Sequence, residues 1–191
     1  AGNRGWYHGV CGDVVLEDCR VSSKNLLEPG RASALNSDAQ GRCIPLAQAM
    51  NIGVGRAAYE AALDYAKLRV QGGRRIVEHQ AIGTLLAECA VRLQVARAAV
   101  WQAAWASDHP QAIEDRSLDD LPLQLMAATF TAEAMHKVAL DAADVFGAMG
   151  VMRDMPLTRH VRDALIFLHS GNGVADTKLR IAEALAGHAR G

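Results

Sequence analysis

The sequence predicts an all-α protein, an up-and-down helical bundle with a short β segment at its N-terminal end. Three observations carry this. Apolar residues recur at three- and four-residue spacing along several long stretches of the 191 residues. Half of the residues are hydrophobic while aromatics make up only 5%, and alanine is abundant, a composition that lets helices approach closely through small side chains. The periodic stretches are separated by clear breakers: Gly72-Gly73, Asp108-His109-Pro110, and Gly147 with Gly150.

Taken in order, Val10 to Val21 (VCGDVVLEDCRV) is valine-rich and alternates roughly between apolar and polar residues, with Gly12-Asp13 as a turn or bulge signal. This reads as one or two strands. Two strands do not make a stable sheet in water, so the remaining strands are expected from elsewhere. The chain is accordingly expected to be the C-terminal portion of a longer one, with residues 1–30 closing a β-domain. Leu26 to Arg42 is rich in turn residues, and residues 31–44 are assigned to a linker. The helical domain then spans 45–191.

Its first helix is expected to open at Pro45, a residue suited to a first turn, and to run to Arg69, burying Met50, Val54, Ala57, Ala61, Tyr65 and Leu68. A second runs from about His79 to Ser107, with Ile82, Leu86, Cys89, Leu93, Ala96 and Val100 on one stripe. Glu114 to Asp120 is a charged loop. A third helix, Pro122 to Phe146, buries Leu125, Ala128, Ala132, Met135, Ala139 and Ala142. Shorter helices follow over Leu157–His169 and Ala175–Ala186.

Lys plus Arg number 20 against 21 for Asp plus Glu, a net charge of -1, so no long-range field draws the chain to nucleic acid or an anionic membrane. No apolar run reaches the roughly 20 residues of a membrane span, and the first residues lack a signal-peptide core. The expectation is a soluble, cytoplasmic protein. Cys11, Cys19, Cys43 and Cys89 match no zinc or redox spacing and are expected to be buried free thiols. His160 and His169, nine residues apart, are poorly placed for a shared metal, and none is expected.

The junction between the first two helices is the most specific stretch: Tyr65-Ala66-Lys67-Leu68-Arg69-Val70-Gln71-Gly72-Gly73, then Val77-Glu78-His79-Gln80-Ala81. A guanidinium there can pair bidentately with phosphate oxygens while the glycines let the backbone approach closely. Taken alone, Arg69 would be a helix C-terminal charge and His79 a residue near a helix N-terminus. The block resembles the acyl-CoA dehydrogenase family, whose C-terminal domain carries Tyr-Ala, Arg, Phe-Gly and His-Gln-Ala at this turn. Asp141-Ala142-Ala143-Asp144-Val145-Phe146-Gly147-Ala148-Met149-Gly150, followed by Pro156 and Arg162-Asp163-Ala164, is similar to the same family's glycine turn and final helices. Asn25-Leu26-Leu27 fits the exit from its β-domain.

The resemblance implies an FAD-dependent oxidoreductase that α,β-dehydrogenates an acyl-CoA or related thioester. It further implies a homotetramer built as a dimer of dimers, and it admits an electron-transfer partner. Arg69, Gln71, His79, Gln80, Gly147 and Asn172 inherit contact with the FAD of a neighbouring subunit. The family's catalytic glutamate has no counterpart: its place falls at Ser170 or Gly171-Asn172-Gly173, and an alternative site at the start of the first long helix is Cys43. Asp176 is the candidate base nearest in sequence. The family's aspartate and arginine beside the substrate correspond to Gly41 and Ile44, its Phe to Gly72, and a glutamine to Asp144. Three readings follow: a dehydrogenase with a relocated base, a fold relative running other flavin chemistry such as hydroxylation, or a non-catalytic subunit that completes a partner's flavin site. The isolated fragment is expected to be inactive.

Overall fold

A computed structural model describes residues 13–25, 31–109, 122–169 and 173–188, with side chains of the first helix from Ile44 onward. The chain forms α1 (Arg31–Leu68), a hairpin of β1 (Val70–Gln71) and β2 (Arg74–Arg75), a 3-10 turn over Ile76–Glu78, α2 (Gln80–Asp108) and α3 (Leu123–Phe146). A further 3-10 turn over Gly147–Val151 leads into α4 (Leu157–His169), and α5 (Gly173–Ala186) follows. The all-α bundle read from the sequence is the architecture observed.

Contacts between helices fix their directions. The Asn51 side-chain amide donates to the Thr131 carbonyl at 3.4 Å, and further along both helices the Tyr65 ring stacks on Phe146, so α1 and α3 run parallel. In α2 the order reverses: Arg92 reaches Asp141 at 3.3 Å, while Ser107, later in α2, accepts from Gln124, earlier in α3, at 2.7 Å. The first three long helices therefore run up, down, up. α4 packs against both α3 and α1.

Small residues set the spacing between α1 and α3. Ala58, Ala62 and Ala66 of α1 and Ala139 and Ala142 of α3 are all fully buried in one cluster. Near them Gly55 faces Met135, and a Cβ on Gly55 would lie 2.4 Å from the Met135 sulfur. A second cluster gathers Ile52, Cys89, Ala96, Val100 and Met135 where α2 crosses.

Three expectations are corrected. α1 begins at Arg31, not Pro45, so the stretch assigned to a linker is helical. Ala32, Ala34, Leu35, Ala39, Gln40 and Arg42 favour helix there, and Pro45 sits inside the helix at the cost of one hydrogen bond to the carbonyl of Gly41. The buried stripe of α1 is rotated from the expected one: Met50 and Leu68 are 47% and 81% exposed, and Asn51, Ala58, Ala62 and Ala66 face the core. The close approach to α3 selects the small side chains and excludes the large ones. Residues 13–21 form no strand, and Val14 is 85% exposed, because no neighbouring strand is present among the described residues to accept its backbone hydrogen bonds.

Cys89 is buried as expected, whereas Cys19, in that same unpaired segment, is exposed. The side chains of Cys11 and Cys43 and the Glu114–Asp120 loop lie outside the described residues. The stripes of α2 and α3 and the span of α4 match the sequence reading, and α5 starts two residues earlier than expected. Among the described residues no helix is long and apolar enough to cross a membrane.

Candidate functional site

The site begins where α1 stops. The Arg69 N–H still donates to the Tyr65 carbonyl at 2.9 Å, as a helical residue would, and the Arg69 carbonyl then accepts from the Ile76 N–H at 2.8 Å. Between those two bonds the chain makes a hairpin with Val70 paired to Arg75 and Gln71 to Arg74. Its two-residue tip is Gly72-Gly73 with φ of 63° and 80°. Both tip residues need positive φ, the geometry that matches strand twist in a tight hairpin and that glycine adopts without strain.

His79 braces this hairpin. Its Nε2 lies 3.0 Å from the Gln71 carbonyl oxygen and its Nδ1 lies 3.3 Å from an Arg74 guanidinium nitrogen. A carbonyl can only accept and a guanidinium can only donate, so the ring carries its proton on Nε2 and offers a lone pair at Nδ1. The ring also lies against the hairpin tip, its Cε1 3.4 Å from where a Gly72 Cβ would stand.

The facing wall is the end of α3. Tyr65 and Phe146 stack with centroids 4.2 Å apart and planes 10° from parallel, joining the ends of the two parallel helices. Gly147 then takes φ 57° and ψ -136°, turning the chain out of α3 into the 3-10 turn, and no atom lies within 4 Å of where its Cβ would be. Hairpin and turn enclose a cleft of about 560 Å³, whose polar lining includes Arg69, Gln71, His79 and Asp144. Ile76, Ile82 and Met149 add apolar surface.

Arg69, Gln71, His79 and Gly147, far apart in sequence, thus line one cleft. Gln80 is the first residue of α2, is exposed, and does not line it. Asn172 and Ser170 lie outside the described residues. Asp176 is in the first turn of α5, half-buried and away from the cleft. Sequence reasoning did not assign Tyr65, Phe146 or Arg74 to the site. Tyr65 reads from the sequence as part of the buried face of α1 and Phe146 as the last residue of α3, and Arg74 carries no assignment. Asp144 was marked only as a departure from the family.

The cleft suits a phosphorylated, partly planar ligand. Arg69 supplies a permanent positive charge in a forked geometry, side-chain-free turns on both walls admit close backbone approach, and the apolar lining takes a flat ring. Its volume lies in the range of small-ligand sites. Among the described residues its lining holds no serine, threonine or cysteine nucleophile, and no group of three or more His, Cys, Asp or Glu is placed to hold a metal.

Comparison with known proteins agrees with this geometry. The family model described as "Acyl-CoA dehydrogenase, C-terminal domain" matches residues 41–185. The chain is 35% identical to a 3-sulfinopropanoyl-CoA desulfinase of Paraburkholderia xenovorans (strain LB400), over 91% of this chain and 42% of that protein. It is 36% identical to an acyl-CoA dehydrogenase of Bacillus subtilis (strain 168), over 85% of this chain and 41% of that one. The solved glutaryl-coenzyme A dehydrogenase in complex with glutaryl-CoA superposes with a TM-score of 0.73 at 28% identity, over 84% of this chain and 39% of that one. The chain thus spans about two fifths of the length of these relatives. Within that span it belongs to the acyl-CoA dehydrogenase family, and the hairpin-and-turn cleft lies inside the residues that match the family's C-terminal domain.

Proposed function

We propose that the chain is the C-terminal part of an FAD-dependent, acyl-CoA dehydrogenase-type oxidoreductase, and that its cleft holds the diphosphate and adenosine portion of a flavin bound mainly by a neighbouring subunit. The supporting observation is the gathering of Arg69, Gln71, His79 and Gly147 around one cleft. Arg69 neutralises diphosphate oxygens. His79 holds the Gln71 carbonyl and the Arg74 guanidinium, so the hairpin keeps its shape when the ligand leaves. The glycine turn at Gly147 clears the opposite wall, and the stacked Tyr65 and Phe146 rings exclude water from the base of the cleft.

When bound, FAD supplies the acceptor for a hydride from the β-carbon of an acyl thioester. The matching α-proton needs a base, and Asp176, at the start of α5, is this chain's candidate. A homotetramer built as a dimer of dimers and an electron-transfer partner complete this reading. Anaerobic titration of the flavin-loaded full-length protein with acyl-CoAs of graded chain length tests it. Bleaching of the flavin band is expected, and an unchanged spectrum with every acyl-CoA would overturn it.

A second reading is favoured by the residues at the expected base positions. Ser170 and Cys43 are not carboxylates, and one of the more similar relatives is a desulfinase of a CoA thioester. Other chemistry on an acyl-CoA would then replace α-proton abstraction. Turnover of 3-sulfinopropanoyl-CoA without flavin bleaching supports this alternative, and absence of turnover removes it.

A further inference from the structure

A second concavity opens where the 3-10 turn after α3 passes into α4. Its volume is about 760 Å³ and it shares no lining residue with the cleft at Arg69. Three of the residues around it are arginines, Arg153 from the segment between the 3-10 turn and α4, and Arg159 and Arg162 from α4. Spaced three apart on a helix, Arg159 and Arg162 share a face. One carboxylate, Asp154, lines the same space, together with apolar surface from Met155 and Pro156.

Among the described residues none of the three guanidinium groups has a carboxylate within 4.0 Å. The excess positive charge is local, because the whole chain carries -1. Like charges on one helix face repel, so the cluster is at its least favourable when the concavity holds only solvent. The neighbouring His160 feels that field: burial lowers its pKa first and the Arg159 charge lowers it further, against a smaller opposing effect of Asp163. All three cations are arginine rather than lysine, whose planar forks match phosphate oxygens two at a time. The size is that of a small-molecule site.

We propose that this concavity is a binding site for a polyphosphate-bearing ligand, held by Arg153, Arg159 and Arg162. The shared chemistry is a diphosphate group, either free or carried by a nucleotide whose ring lies on Met155 and Pro156. The inference stands apart from the flavin reading, since none of its residues belongs to that cleft.

Isothermal titration calorimetry of the flavin-loaded full-length protein, with inorganic pyrophosphate in one series and ADP in another, tests it. A saturable site that weakens as salt rises is expected. An Arg159→Gln/Arg162→Gln double variant should bind at least about tenfold more weakly, while Arg56→Gln, on the exposed face of α1 and in neither concavity, should leave the affinity unchanged. Arg153→Gln, outside the helix, should show a loss in the same direction and serves should the double variant fail to fold. Equal affinity for the two probes identifies the diphosphate alone as the ligand, and tighter ADP binding identifies a nucleotide. The proposal is overturned by absence of binding at millimolar concentration of both probes, or by an equal loss of affinity in Arg56→Gln, which would make the binding non-specific. It is equally overturned if the double variant leaves binding intact and changes the oligomeric mass, which would mean that a neighbouring subunit fills the concavity.

Discussion

The rings of Tyr65 and Phe146 lie 4.2 Å apart and within 10° of parallel, so one aromatic stack joins the ends of α1 and α3 and lines the cleft between them. If the cleft holds the proposed flavin, stability and ligand binding meet at one contact. Phe146, nearly fully buried, should cost about 3 kcal/mol when changed to Ala, through lost burial, the void left behind and the lost stacking partner. Thermal unfolding reads that loss. A Phe146→Leu variant, which keeps most of the volume, should recover most of the stability and still hold FAD less tightly than the parent.

Asp141 is buried in α3 and receives Arg92 from α2 at 3.3 Å and Lys137 from its own helix. Arg92 also reaches Glu88 at 3.2 Å. Removing the buried carboxylate strands two cations, but Arg92 and Lys137 keep 29% and 51% of their side-chain exposure and can turn to water. Asp141→Ala should thus cost about 2 kcal/mol, below the roughly 3–5 kcal/mol seen when a fully buried pair is broken. Denaturant melts of the single and Arg92→Ala double variants should show a coupling between the two sites.

How much of this was legible in the sequence depended on which force fixed each element. The bounds of α2, α3 and α4 follow from periodicity and from breakers such as Pro110, Gly147 and Pro156, all local signals. The start of α1 and its buried face do not, because the close approach of α3 turns Ala58, Ala62 and Ala66 inward and leaves Met50 and Leu68 outside. Of the residues that the family resemblance singles out, Arg69, Gln71, His79 and Gly147 line one cleft. Tyr65, on an apolar stripe, and Phe146, at a helix end, carry no such signal, since an aromatic at either place looks the same whether it ends in a core or beside a cleft. Gln80 shares the motif with His79, yet the helix start carries its side chain away from the lining.

Acid should weaken the fold through two histidines. Burial first and then the Arg159 charge lower the pKa of His160, with Asp163 opposing. Burial first and then His169 lower that of His136. Each folded-state pKa is lowered from 6.5, so the unfolded chain takes up protons earlier as pH falls. The stabilising contribution is complete above about pH 6.5 and is lost as pH drops through the lower folded values. Melting temperature should decline on going from pH 7.5 to 5.5, and a His136→Gln/His160→Gln variant should show a shallower decline.

Thiol chemistry separates the two described cysteines. Burial, and after it the Asp141 carboxylate, push Cys89 up to about 11, so it is protonated and enclosed at pH 8. Cys19 is exposed. A thiol reagent at pH 8 should label Cys19 in the native protein and reach Cys89 only on unfolding, as peptide mapping by mass spectrometry would show.

The cleft at the end of α1 is proposed to grip a flavin. The direct measurement is FAD dissociation from the full-length protein, followed by flavin fluorescence, for the parent, Arg69→Ala and His79→Ala. Arg69→Ala should weaken binding by at least about tenfold, the worth of one charge-assisted phosphate contact. His79→Ala should weaken it less, because it frees the Gln71 carbonyl and Arg74 without removing the charge. Unchanged FAD affinity in a folded Arg69→Ala protein would contradict the assignment of this cleft to the flavin.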